Sequence, residues 1–341
     1  MKFTRRFFLL TPAALLGALG TSCTKSTGKV KVAVVTNMPA EFWSICEKGA
    51  KDAGEKYGVD VIFKMPEKNE AGLQRDIVNE LVRQGVSGIA VSVINPEEQT
   101  PDLKRVGQQV NLITMDNDAE DTGRLCYIGT DNYDAGKAAG RLVKEVMPQG
   151  GTIAIFVGNQ TSLNAQQRFH GVVDELAGQK DAKGPKYGAY TLLKGEPYTD
   201  GGKPADSLDN AKDALEKMAG AQDICMVGLY AYNPPAILEA VKSKKLTGKV
   251  KIVGFDEDAA TLDAIATGDI YGTVVQDPYN FGYKSVEILA NLAKTGDKSN
   301  LPKDAIPVRV IVKEGAKDPV TGRDRIAATQ FAADLKKLVG K

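Results

Sequence analysis

Histidine is nearly missing from this 341-residue chain, which carries only His170. That excludes histidine-rich metal clusters and any active site built on two imidazoles. His170 falls two residues after Arg168 on a helical stretch and reads as a helix-face residue rather than the base of a serine relay. Cysteine is scarce as well: four are spread over the whole length, too few for a disulfide scaffold. Charge of one sign is lacking, with 44 Lys and Arg against 43 Asp and Glu. No basic block is long enough to follow a phosphate backbone, so no nucleic-acid partner is expected. No apolar run reaches the roughly 20 residues of a membrane-spanning helix. No G-x-G-x-x-G follows the first strand, and there is no Walker A loop and no G-x-S-x-G elbow, so no cofactor is expected. What remains is 43% hydrophobic and 26% charged, ordinary for a soluble globular protein and long enough for about two domains of roughly 150 residues.

The first 22 residues read as an export signal. Lys2, Arg5 and Arg6 precede an apolar run from Phe7 to Leu19 and the small residues Gly20, Thr21 and Ser22. Thr4 to Leu9 resembles a twin-arginine signal; the alternative is a general secretory signal that happens to begin with two arginines. Gly20-Thr21-Ser22-Cys23 resembles a bacterial lipobox, with Gly20 where leucine is usual, so Cys23 is a candidate for lipidation and attachment to a membrane. Residues 23–28 then form a short polar tether. Cys46, Cys126 and Cys225 lie mostly in apolar runs and read as buried thiols.

From Lys29 onward, short apolar strands alternate with amphipathic helices. The strands of the first half are expected at 29–36, 59–65, 87–94 and 111–115. Leu73, Ile77 and Leu81, with Val78 and Val82 beside them, form one stripe on the helix between the second and third. The alternation restarts after Tyr133, with strands at 152–157, near 187–193, 223–227 and 251–255, and further strands at 271–275 and 308–312. Continuous apolar strands separated by helices predict parallel sheets covered on both faces, an α/β fold of two doubly wound lobes. Residues 195–204 form a turn-rich connection expected to be mobile.

Ligands of open parallel sheets bind beyond the carboxyl ends of the strands. Those ends hold Thr36 to Trp43, Asn95-Pro96 and Asp116 to Asp118 in the first half. In the second they hold Gly158 to Gln166, Leu229 to Asn233, Asp256 to Asp258 and Gln276-Asp277. Amides, carboxylates and aromatics suit a neutral polyhydroxylated molecule: polar groups take hydroxyls directionally, while rings cover C–H surfaces. Asp116 and Asp256 resemble the carboxylate pair of a glycosidase only loosely, because they belong to different lobes. The alternative for each is a helix N-cap. The acidic cluster Asp116, Asp118, Glu120 and Asp121 lacks the spacing and turn glycine of a calcium loop and reads as a solvated acidic loop.

V-A-V-V-T-N-M-P-A-E-F-W, L-I-T-M-D, I-G-T-D-N-Y-D-A-G, I-V-G-F-D and G-T-V-V-Q-D-P, in that order, resemble the ribose-type periplasmic sugar-binding proteins of ABC importers, a type I periplasmic binding protein fold. The resemblance implies two Rossmann-like lobes joined by three hinge strands: residues 29–130 with about 277–311, and 131–276 with about 312–341. It implies Phe42 and Trp43 over the sugar and Asp116 on its hydroxyls from the first lobe, with Thr36 as a first-strand contact. Asp256 would act from the second lobe, with Gln276 near the hinge. Asn117 stands where the family commonly has arginine, and Gln166 takes the place of the first arginine of an R-x-R pair that ends in Arg168. Tyr230 and Ala40 occupy positions where asparagine is frequent. The implied protein is not an enzyme. It is an exported, periplasmic, lipid-anchored monomer that captures a neutral sugar or polyol and hands it to a membrane permease. The other readings are a receptor for a nucleoside or furanose-like signal feeding a sensor, and an exported carbohydrate-processing enzyme.

Overall fold

The computed structural model describes residues 28–340. The export signal, Cys23 and the tether up to residue 27 lie outside the described residues.

The first sheet is built from β1 (Lys31–Val35), β2 (Asp60–Lys64), β3 (Gly88–Val91), β4 (Asn111–Met115) and β5 (Tyr127–Ile128), all parallel, in the order β2-β1-β3-β4-β5. Its strands are apolar on both faces because both are covered. Val32, Val34 and Met115 pack under α1 (Glu41–Tyr57), whereas Ala33, Val35 and Ile89 pack under α2 (Ala71–Arg83) and α3 (Pro96–Gly107). Just beyond the ends of β1 and β3 lie the buried carbonyls of Thr36 and Ser92, which need partners. Gln74, wholly buried on α2, donates to Thr36 O and Ser92 O at 2.7 Å each, and its own oxygen accepts from buried Gln99.

The second half supplies α4 (Asn132–Val146), β6 (Gly151–Val157), α5 (Leu163–Ala177), the short strands β7 (Lys186–Tyr187), β8 (Tyr190–Leu192) and β9 (Tyr198–Thr199), α6 (Pro204–Lys217), β10 (Ile224–Gly228), α7 (Asn233–Ser243), β11 (Val250–Phe255), α8 (Ala259–Thr267) and β12 (Gly272–Val275). The chain then runs through α9 (Pro278–Thr295), β13 (Arg309–Val312), β14 (Ala316–Lys317), β15 (Asp324–Ala327) and α10 (Ala328–Val339). The second sheet has the order β14-β15-β13-β12-β11-β10-β6-β8-β7, with β9 beside the end of β6. The single strand expected near 187–193 is a hairpin, because Gly188 takes a left-handed φ of 62° and turns the chain back on itself. The connection 195–204 is pinned: Asp200, 5% exposed, accepts hydrogen bonds from Tyr232, Asn233 and Gly202 N.

Three passages link the sheets. The first runs from β5 to α4. The second runs from β12 to α9, which packs on α1 and on the first sheet. The third returns through 296–308 to β13, which pairs antiparallel with β12. The passages brace one another: Ile306 N donates to Gly129 O at 2.7 Å, and Arg309 donates to Gln276 O.

Each lobe carries one very close helix pair. A Cβ on Gly49 of α1 would stand 2.0 Å from Tyr279 O of α9, and one on Gly136 of α4 would stand 2.2 Å from Arg168 O of α5. The α4–α5 contact sets the depth at which Arg168 lies.

Candidate functional site

Two aspartates, one at the end of a strand in each sheet, have the same unusual backbone. Asp116 follows β4 with φ 58° and Asp256 follows β11 with φ 63°. A left-handed residue with a side chain costs about 1–2 kcal/mol, and aspartate is among the types that tolerate it. In both, the carbonyl accepts a hydroxyl hydrogen bond, from Tyr127 at 2.7 Å and from Thr273 at 2.9 Å. Both are buried, at 4% and 5% exposed, and neither caps a helix; the cap of α8 is Asp258, which accepts from Ala260 N and Thr261 N.

In the first lobe, the Asp116 carboxylate accepts from Ser92 Oγ at 2.7 Å and Asn37 Nδ2 at 3.4 Å. Burial pushes its titration up, against the pull of Arg168 and Ser92. Asn37 is itself held by Trp43 Nε1 at 3.2 Å. In the second lobe, Asp256 accepts from Gln276 Nε2 at 3.0 Å and is pushed up to about 6 by burial, with Arg168 and Gln276 opposing and the charge of Asp116 adding to the rise. One guanidinium therefore acts on a carboxylate from each lobe.

Arg168 is 2% exposed. Its Nε donates to Asn132 Oδ1 at 2.8 Å and its Nη1 to Leu229 O at 3.0 Å, while the guanidinium lies 4.1 Å from the centroid of Phe255 and 5.7 Å from that of Tyr230. Nη2 is buried without a partner, and so is Gln276 Oε1. Buried groups of this kind cost about 1–3 kcal/mol each when unpaired, so they mark where an incoming molecule gains most. Glu257, next to Asp256, has both carboxylate oxygens buried and unpartnered and is pushed well up by burial and by the Asp256 charge, with Arg309 opposing.

The other residues singled out in the sequence divide. Asn117 bridges the lobes, donating to Val93 O and accepting from Asn164 N at 3.0 Å. Tyr230 donates to Asn164 Oδ1 at 3.2 Å, and burial pushes its hydroxyl up to about 12. Thr36 is wholly buried, its hydroxyl turned to Met38 O at 3.2 Å. Trp43, 2% exposed, packs in the first lobe's core, while the neighbouring Phe42 is half-buried and lines the cleft. Gln166 is not brought to the others. It is exposed and donates to Gln160 O, because two residues along a helix from Arg168 is about 200° around it. Asn164, four residues from Arg168, shares its face instead. Asn37, Ser92, Asn132, Asn164 and Glu257 were not singled out as contacts from the sequence. Their only signal was position at strand ends and in the D-N-Y-D-A-G segment.

Outside Asp256, a cleft of about 640 Å³ opens between the lobes, bounded by Pro39 and Phe42 on one side and Tyr232, Glu257 and Leu262 on the other. Asp118 of the acidic loop is engaged by Arg124 rather than pointing into the cleft. His170 lies exposed on α5, and Cys46, Cys126 and Cys225 are buried free thiols whose titration burial pushes up.

A family model described as a periplasmic binding protein domain matches residues 32–298. The D-allose-binding periplasmic protein of Escherichia coli is 25% identical over 285 residues, covering 80% of this chain and 87% of its own. A solute binding protein of an ABC transporter from Burkholderia graminis, solved in complex with D-arabinose, is 26% identical with a TM-score of 0.76, covering 84% of this chain and 96% of its own. GanP, a glucose-galactose binding protein from Geobacillus stearothermophilus, is 25% identical with a TM-score of 0.75, covering 84% and 98%.

Proposed function

The chain belongs to the periplasmic binding protein domain family, and from that premise we propose that it is the solute receptor of an ABC importer, closing on one neutral monosaccharide or polyol and presenting it to the permease. The observation that carries the ligand class is the buried Arg168 between Asp116 and Asp256, with Nη2 unpaired. A donor flanked by two acceptors, one from each lobe, suits adjacent hydroxyls on a sugar ring. A ligand that satisfies groups of both lobes at once stabilises the closed form. Arg168, Asp116, Asp256, Gln276 and Phe42 are the contacts we assign, with Asn117 and Tyr230 closing the walls. The ligand carries no negative charge, because the buried Arg168 is already opposed by Asp116 and Asp256, one from each lobe, and an added anion would meet their repulsion. The lobes are taken as residues 29–130 with 277 to about 308, and 131–276 with the remainder. Export through the N-terminal signal, lipidation at Cys23 and action as a periplasmic monomer complete the reading and rest on the sequence.

A thermal-shift and calorimetric panel tests it. D-ribose, D-allose, D-arabinose, D-glucose, D-galactose and a linear polyol are compared with a uronic acid and a sugar phosphate. A sugar at 100 times its Kd adds about 2.7 kcal/mol to stability. A neutral member binding saturably without turnover is expected; tightest binding by an anionic member, or product formation from glycosides, overturns the reading.

A further inference from the structure

The crossing between the lobes holds a side chain that touches the buried arginine acting on Asp116 and Asp256. Asn132 opens α4 directly after the first passage and is 3% exposed. Its Oδ1 accepts Arg168 Nε at 2.8 Å, and its Nδ2 donates to Thr130 O at 3.2 Å and reaches Tyr127 OH at 3.5 Å. Tyr127 OH lies 2.7 Å from Asp116 O and 3.1 Å from Thr130 O. Asp116 of the first lobe is thus tied through Tyr127 and Asn132 to Arg168 of the second. The contact depends on helix approach: Gly136, one turn after Asn132, lies so close to α5 that a Cβ there would meet Arg168 O.

Resting on the sugar-receptor reading, we propose that Asn132 is a positioning residue that holds the Arg168 guanidinium for the ligand from the hinge. With Nε on Asn132 and Nη1 on Leu229 O, the plane of the guanidinium is fixed over Phe255 and Nη2 is the one nitrogen left over. Without the Asn132 acceptor, a buried cation between Asp116 and Asp256 turns onto one of them, because attraction between buried opposite charges exceeds any neutral contact available to it. The ion pair so formed consumes the donor and an acceptor that the ligand needs. Asn132 has no further role in binding, since its amide is spent on Arg168, Thr130 and Tyr127.

The test uses the full chain and the tightest-binding of D-ribose, D-allose, D-arabinose, D-glucose and D-galactose. Asn132→Ala should weaken calorimetric affinity about 10-fold, within the 2- to 30-fold range of residues that act through a neighbour. Asn132→Asp, which keeps the acceptor for Arg168, should stay within about 3-fold of the parent. Arg168→Lys should lose more, and Asn132→Ala on top of it should add nothing, as coupling through one group requires. A nitrogen-15 NMR spectrum of the arginine Nε–H groups gives a ligand-free reading: a slowly exchanging Arg168 signal, lost in Asn132→Ala and kept in Asn132→Asp. If the alanine variant does not fold, Asn132→Ser replaces it, because its hydroxyl suits a helix start but is too short to reach Arg168. Additive losses in the double variant, or an Arg168 signal unmoved by Asn132→Ala, overturn the proposal while leaving the receptor reading intact. Failure of all five sugars and of the linear polyol to bind overturns that reading and this proposal with it.

Discussion

Asp116 and Asp256 share backbone conformation, burial and a hydroxyl on the carbonyl, yet the lobes around them are built differently. Asp116 is finished within its own lobe: Ser92 and Asn37 bond its carboxylate, Trp43 bonds Asn37, and Gln74 fixes the strand ends. Asp256 has one side-chain partner, Gln276, and beside it stand the unpaired Gln276 Oε1, Arg168 Nη2 and both oxygens of Glu257. The difference teaches how a hinged receptor can combine order with response. One lobe holds its acceptor ready, while the other leaves buried polar groups whose cost is recovered only when something binds.

Arg168→Ala should expose that asymmetry most strongly. It removes the guanidinium that acts on a carboxylate of each lobe and its bonds to Asn132 and Leu229 O, and buried charges stripped of a partner cost about 3–5 kcal/mol. Urea unfolding and calorimetry should show a large stability loss together with loss of sugar binding; intact affinity would place Arg168 outside the site. Trp43→Ala should follow, costing the first lobe about 3 kcal/mol or more as a core truncation. Trp43→Phe, which keeps most of the packing but drops the bond to Asn37, should shift affinity only a few-fold, measured by the same titration. Because Trp43 is 2% exposed, sugar should alter its emission little, and a large change on binding would show that the first lobe is less finished than it looks.

Asp256→Ala should weaken binding by about 30-fold or more, the equivalent of roughly 2 kcal/mol at the low end for a desolvated charged partner. Next comes pH. Asp256 titrates at about 6, above its ordinary value, so the protonated form stabilises the fold fully below about pH 4. That contribution is lost as pH rises through 6, while the ionised acceptor that takes a hydroxyl appears over the same range. Affinity should therefore rise with pH, changing about 5-fold between pH 5 and 6 and levelling off above about 7, and Asp256→Asn should flatten the profile. Asp200, also raised to about 6 by burial, serves as control: Asp200→Asn should alter the pH dependence of melting but not that of binding. Smallest is Asp258→Ala, a helix cap worth about 1 kcal/mol, expected to lower the melting temperature and leave affinity unchanged. Equal affinity losses at Asp256 and Asp258 would remove the distinction between acceptor and cap.

How much could be read beforehand depended on the kind of signal. The central strands 31–35, 88–91, 224–228 and 250–255 stood out because both sheet faces are buried and the apolar runs are continuous. The region beyond Val312 carried no such run, and α10 went unread although Phe331 and Ala328 anchor it in the second core. The placement of Asp116, Asp256 and Gln276 just beyond strand ends was legible because the ends of apolar strands are easy to find, and the structure shows all three buried there. Gln166 was a poorer choice than Asn164, because a spacing of two within a motif says nothing about which way a helix turns.

The sequence by itself determined the α/β alternation, its restart after Tyr133, the carboxylates at the strand ends and the scarcity of histidine, because periodicity and composition are local properties that survive without contacts. Tertiary structure alone decided which of Phe42 and Trp43 faces the cleft, that Asn132 meets Arg168, and that Gln276, Glu257 and Arg168 keep unpaired atoms. Each of these depends on how closely helices and strands far apart in the chain approach. In this fold that approach is set by packing, above all at Gly49 and Gly136, and not by any residue's own preference.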